Sequence, residues 1–423
     1  MKAVTLLLSF ICVCASSSAQ SAHAECNASP EPSPFVVVGD SLSAGVQNFS
    51  LLDTQQANGY ASVIARQAGW PLTLPLVPFP GAPNVLQLVS LGPPIVIEPA
   101  PGSLPSPPTP PRDNPSVQPT NIAVPGLTVS GALSLRPSPT ATDPETQWAT
   151  IVLGFPSLLL GQAPTEVELA NCLRPEILID WLGNNDALVP ALTGQLSALT
   201  PIYQFAVSYE QVLGTLGKTG AKIVTATIPD VTEVPYFTSV KTIAAQAGLP
   251  IGTVTAMLGI GANDFVRPSA LTLIDGILTG KTPGPLPTNC PAQLLGDIGL
   301  TTIPCVLTAS DAATVKATVD SYNFVIEVET YLHGGATVDA HSLVDQIYTH
   351  GYKLNDSTTL TAGFLGGLFS LDGIHPSNTG YGVIAASFIE TMNGFLGKHI
   401  PAPDIQKIFN NDPLRKYVPS TGK

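Results

Sequence analysis

Charge is what this chain of 423 residues has least of. Only 11% of its residues are Asp, Glu, Lys or Arg, against about 25% in an ordinary globular protein. The few charges are unbalanced: 17 Lys and Arg face 30 Asp and Glu, a net charge of −13. A basic surface for phosphate is missing, which argues against nucleic acid as a partner. Methionine and tryptophan number three each. Three of the six histidines, His333, His341 and His350, lack metal-ligand spacing with Cys or acidic partners, so no metal is expected. Gly-rich phosphate loops and internal repeats are also missing, and no cofactor is expected. Apolar residues, by contrast, make up 44% of the chain, and the mean hydropathy of +0.29 excludes a mainly disordered polymer.

No apolar run is long enough to span a bilayer. The longest opening run, Val4 to Cys14, follows Lys2 and precedes Ala22-His23-Ala24, the pattern of a cleaved leader over residues 1–24. The expected product is exported (extracellular or periplasmic) and carries no lipid anchor. Removal of the leader leaves Cys26, Cys172, Cys290 and Cys305. An even number in an exported protein implies disulfides, with three possible connectivities.

Three stretches carry candidate chemistry. Phe35-Val36-Val37-Val38 is a short β-branched run that ends in Gly39-Asp40-Ser41. It reads as a buried parallel strand with Ser41 just past its carboxyl end, where ligands of open α/β sheets bind. A serine there is placed to act as a nucleophile if a base is near. Asp372-Gly373-Ile374-His375-Pro376 supplies the base. The spacing lets Asp372 accept from one ring nitrogen of His375 and leaves the other to face a nucleophile. Ile177 to Leu182 is a third apolar run, closed by Gly183-Asn184-Asn185-Asp186. An amide at a strand end can donate to a developing oxyanion. Asp40 and Asp186 read as loop-holding carboxylates. Gly261-Ala262-Asn263-Asp264 repeats the Gly-x-Asn-Asp pattern, but after a helical segment, so Asn185 is preferred.

Taken together, these blocks resemble the SGNH (GDSL) hydrolases. The resemblance runs from Phe35 to about Gly397, with large insertions. It implies Ser41 as nucleophile, His375 as base, Asp372 as its orienting carboxylate, and an oxyanion hole from Ser41, Gly126 and Asn185. Gly126, a lone glycine after Asn121-Ile122-Ala123-Val124-Pro125, is the least specific match. Ile228-Pro229-Asp230-Val231-Thr232 looks like the secreted phospholipase/lecithinase-like branch. The implied fold is α/β: a flavodoxin-like three-layer sandwich on a parallel sheet of about five strands. The implied activity is cleavage of carboxylic esters, on a small-molecule or lipid ester. Carbohydrate O-acetyl esters are the alternative substrates, and a non-catalytic binding or adhesion protein is the alternative function. In a flavodoxin-like strand order the starts of the first and third strands are neighbours, which favours Cys26–Cys172 and hence Cys290–Cys305.

One catalytic domain is expected over residues 25–400, with inserts at 71–119 and 237–310 and a tail at 401–423. Helices are expected over 59–69, 203–216, 312–332 and 380–395. Strands are expected over 120–123, 177–182, 221–228 and 337–340. Proline crowds the first insert, and Pro99 to Pro119 reads as an extended stretch. It either packs passively on the domain or walls an acyl groove.

Overall fold

The computed structural model describes residues 32–92, 95–104, 111–292 and 301–418. The expected leader and Cys26 of the expected Cys26–Cys172 bridge lie outside them. Four parallel strands form the central sheet, in chain order β1 (Phe35–Gly39), β2 (Ile177–Trp181), β3 (Lys222–Ala226) and β4 (Ala336–Val338). Val38 pairs with Asp180, and Ile179 with Val224. The expected strand at 120–123 is present as an edge ribbon beyond β1. Its parallel bonds run from Val37 N–H to Thr120 O, Ile122 N–H to Val37 O and Val124 N–H to Gly39 O, at 2.9, 2.9 and 3.0 Å. Only Asn121 forms a bridge there, because Pro119 and Pro125 bracket the segment and cannot donate to a ladder. The order ribbon–β1–β2–β3–β4 is that of a flavodoxin-like sheet.

Strand side chains alternate between two faces, and each face has its own core. Val36, Val38 and Leu178 pack with Phe205, Tyr209, Val315 and Tyr322, from helices running over Ile202–Leu216 and Ala309–Leu332. Val37, Ile179 and Trp181 pack on the other face with Tyr60, Tyr381 and Phe388, from helices over Tyr60–Ala68 and Asn378–Leu396. All five residues of β1 and of β2 are buried, as expected of apolar runs in a sheet covered on both faces, and the burial includes the charged Asp180 on β2. The result is a three-layer α/β/α protein. No helix among the described residues is long and apolar enough to cross a membrane.

The second insert forms a satellite with its own apolar cluster, including Val254, Leu258, Ile274 and the Cys290–Cys305 disulfide. Arg267 ties it to the main body. Its guanidinium is fully buried and donates to the Ala191, Leu192 and Pro304 carbonyls. The first two belong to the last turn of a helix over Asn184–Thr193, where carbonyls lack intrahelical donors. The first insert folds as a hairpin of Leu86–Ser90 with Val96–Pro99 and then returns along the surface. Arg112 fastens that return by donating to the Val117 and Phe155 carbonyls, each at 2.8 Å. Beyond residue 400 the chain docks a helix over Ile405–Asn411, and Asp412 accepts from Thr379 N–H and Oγ1.

Candidate active site

Gly39 ends β1 with φ of +151°, and a Cβ there would meet Ser43 Oγ at 2.4 Å and Trp181 O at 2.9 Å. Only glycine fits this close approach. Its N–H donates to Glu166 Oε1 at 2.8 Å, which anchors the turn. Asp40 then caps the short helix Ser41–Ala44 by accepting from Leu42 N–H. Its second oxygen accepts from Asn184 Nδ2 at 2.9 Å. Burial pushes the Asp40 carboxyl up to about 6. Ser41 is thus the first residue of a helix, where its own N–H has no intrahelical acceptor.

Asp372 and His375 come from the turn before the helix over Asn378–Leu396. Asp372 Oδ1 accepts the Ile374 and His375 amides at 2.7 and 2.8 Å. Its Oδ2 lies 2.9 Å from His375 Nδ1 and accepts the Phe49 amide at 2.6 Å. Burial raises the Asp372 carboxyl, but His375 and the backbone donors outweigh it and hold the group below its ordinary value. Gly373 allows the turn: φ is +69°, and a Cβ would come within 3.0 Å of Tyr236 N.

β2 delivers the third block. Gly183 has φ of +108°, and a Cβ there would strike Ile228 Cδ1 and the Phe205 ring. Asn185 Nδ2 donates to Leu127 O at 3.0 Å, leaving its second N–H for another partner. Asp186 accepts from Val129 N–H at 3.0 Å and Thr200 Oγ1 at 2.7 Å, and burial pushes it up to about 6. Asp40 and Asp186 therefore brace loops, each using both carboxylate oxygens. Gly126, with φ of +79°, sits between the edge ribbon and the helix over Val129–Ser134. No acceptor for its N–H is found among the described residues.

Ser41, Gly126, Asn185 and His375, from four distant parts of the chain, line one open cleft of about 620 Å³. No hydrogen bond joins the Ser41 and His375 side chains among the described residues. A second, much smaller cavity of about 80 Å³ is also lined by Ser41 and His375. Asn263 lies elsewhere: it is exposed, in a turn where Asp264 accepts the Gly261 and Ala309 amides. Among the described residues of 99–119, none lines either cavity. Among the described residues, the first insert reaches the cleft through Ala82 and Pro83. No group of His, Cys, Asp and Glu among the described residues could hold a metal ion.

Several contributors escape the sequence reading. Glu166 and Asn184 hold the Ser41 turn from two sides, and Arg267 holds the end of the helix carrying Asn185. Trp148, in a helix over Pro144–Leu153, lines the cleft. Its helix start was written in Asp143-Pro144-Glu145, an N-cap followed by proline at the first position.

No protein-family model matches the chain, and no curated protein matches it. Among solved structures it is similar to LAE5, an alpha/beta hydrolase enzyme from the metagenome of Lake Arreo, Spain. The two share 14% identity over 86% of this chain and 96% of that one, with a TM-score of 0.36. A likeness so distant assigns no activity to this chain.

Proposed function

We propose that this protein is a secreted serine ester hydrolase of the SGNH type. The observation that supports it most is the convergence of Ser41, Gly126, Asn185 and His375 on one cleft, with His375 bonded to a buried Asp372. A protein that only bound its ligand would need no such set. In the proposed reaction His375 Nε2 takes the proton of Ser41 Oγ as that oxygen attacks the ester carbonyl. Asp372 holds the ring in the tautomer that makes this possible. The negative charge on the carbonyl oxygen is met by the Ser41 and Gly126 N–H groups and the Asn185 amide. His375 then protonates the leaving alcohol, and water cleaves the acyl-enzyme with the roles reversed. The chemistry calls for no cofactor. A disulfide at Cys290–Cys305 is in keeping with an oxidising compartment.

The experiment is a panel of chromogenic esters with phosphatidylcholine and an acetylated glycan, run on the wild type and Ser41→Ala. Loss of the nucleophile is expected to lower kcat by ~10⁶. Turnover of the glycan alone would move the substrate class to carbohydrate O-acetyl esters. Equal turnover by both proteins would remove Ser41 from the mechanism. No turnover of any ester would favour the binding protein instead.

A further inference from the structure

Two cavities that differ in size and polarity meet at Ser41 and His375. We propose that they divide an ester between them, the small one holding the acyl chain and the open cleft holding the alcohol. This rests on the serine hydrolase reading above and names the substrate half that each side takes.

The small cavity is a hydrocarbon slot. One wall is the helix over Ala340–His350, which contributes Leu343, Val344 and Ile347. Those positions share one face of the helix, while Asp345, Gln346 and His350 are exposed. The helix over Asn378–Leu396 also lines it, through Val383 and Ile384. Trp181 also lines it, with its ring fixed by a 3.2 Å bond from Nε1 to Thr227 O. Apart from Ser41, Asn184 and His375, every lining residue is apolar or glycine. A sugar or a headgroup would lose its hydrogen bonds there, at a cost that excludes it. An alkyl chain loses nothing.

The cleft differs in size and chemistry. At about 620 Å³ it falls in the usual range of ligand sites. Thr142, Glu145, Gln147, Thr193 and Gln195 add polar groups to a lining that is otherwise mostly apolar, so the cleft can take an alcohol that carries hydroxyls. Leu188 and Ile374 line both spaces and so mark the divide. The order of bond changes fixes which half goes where. The Ser41 Oγ–carbon bond forms, the carbon–alcohol bond breaks, and the alcohol leaves with the proton held by His375. Water must then reach the same carbon and give its proton to His375 while the acyl chain is still attached. The alcohol must therefore leave a way in for water, and the acyl chain is the half that can stay in the small apolar slot. The slot volume of about 80 Å³ sets a limit to the length of chain it takes.

Val344, which takes no part in the chemistry, gives the test. With 4-nitrophenyl esters, wild-type kcat/KM should rise about fourfold per methylene from acetate until the slot is filled. Val344→Trp should lower the hexanoate-to-acetate ratio of kcat/KM at least tenfold, and Val344→Ala should raise the decanoate-to-hexanoate ratio. Acetate esters of ethanol, butanol and hexanol should keep their relative rates in both variants. Unchanged acyl ratios in both variants, or a change confined to the alcohol series, would overturn the division proposed. Should Val344→Trp not fold, Val344→Ala decides alone. Failure of the underlying reading looks different: the wild type would turn over no ester and take no fluorophosphonate on Ser41, whatever stands at 344, and the division would fall with it.

Discussion

Asp372 and Phe49 are joined across 323 residues of sequence: the Phe49 amide donates to Asp372 Oδ2 at 2.6 Å, the oxygen that also faces His375 Nδ1. The loop after the Ser41 helix and the turn carrying His375 thus share one carboxylate oxygen. Asp372→Asn should lower kcat by ~10⁴, because the amide favours the wrong imidazole tautomer. Asp372→Ala should also destabilise the fold by about 1–3 kcal/mol, since three backbone N–H groups lose their acceptor. Ester kinetics and urea unfolding of both variants check this. Full activity in Asp372→Asn would remove the carboxylate from the mechanism.

Asn185→Ala should lower kcat by about 10²–10³ with little change in KM, the mark of an oxyanion donor. Asn263→Ala, altering an exposed turn, should be neutral. The reverse ranking would place the chemistry at the second Gly-x-Asn-Asp.

Asp180 is fully buried on β2 with no hydrogen-bond partner for either oxygen; the Tyr209 hydroxyl faces it beyond bonding geometry. Burial pushes its carboxyl up to about 7, whereas an unfolded aspartate titrates near ~3.9. Between those values the native state binds a proton that the unfolded chain has lost. The contribution is therefore complete below about pH 4, is lost as pH rises towards 7, and stays level above. Asp180→Asn should be more stable than the wild type at pH 8, by a few kcal/mol at most, and should gain much less at pH 4. Urea midpoints at the two pH values decide it, and equal gains at both would mean that Asp180 does not titrate in this range.

The parts of the site that could be read from sequence are those whose geometry is local. Gly39-Asp40-Ser41 and Gly183 to Asp186 each carry strand end, tight turn and candidate group within a few residues, and Asp372 to Pro376 carries tight turn and candidate pair. The parallel sheet followed too, because apolar runs alternate with helices, while its strand order was implied by the family resemblance. What could not be read depends on distant partners. Glu166 meets Gly39 across 127 residues, and Arg267 meets Leu192 across 75; neither contact leaves a local pattern. For Pro99–Pro119, apolar and unsuited to helix, the sequence left open a passive surface role or a wall over an acyl groove; none of its described residues lines either cavity. The small slot is lined by residues from Ser41 to Ile384, many of them on helix faces, which in sequence look like any packed amphipathic element.

The central claim is that Ser41 is an activated nucleophile. Its most direct test is an alkyl fluorophosphonate, followed by intact mass and peptide mapping. One stoichiometric adduct is predicted, on Ser41, with none on Ser41→Ala and strongly slowed labelling of His375→Ala. An unlabelled wild-type protein, or an adduct on another serine, would contradict the account.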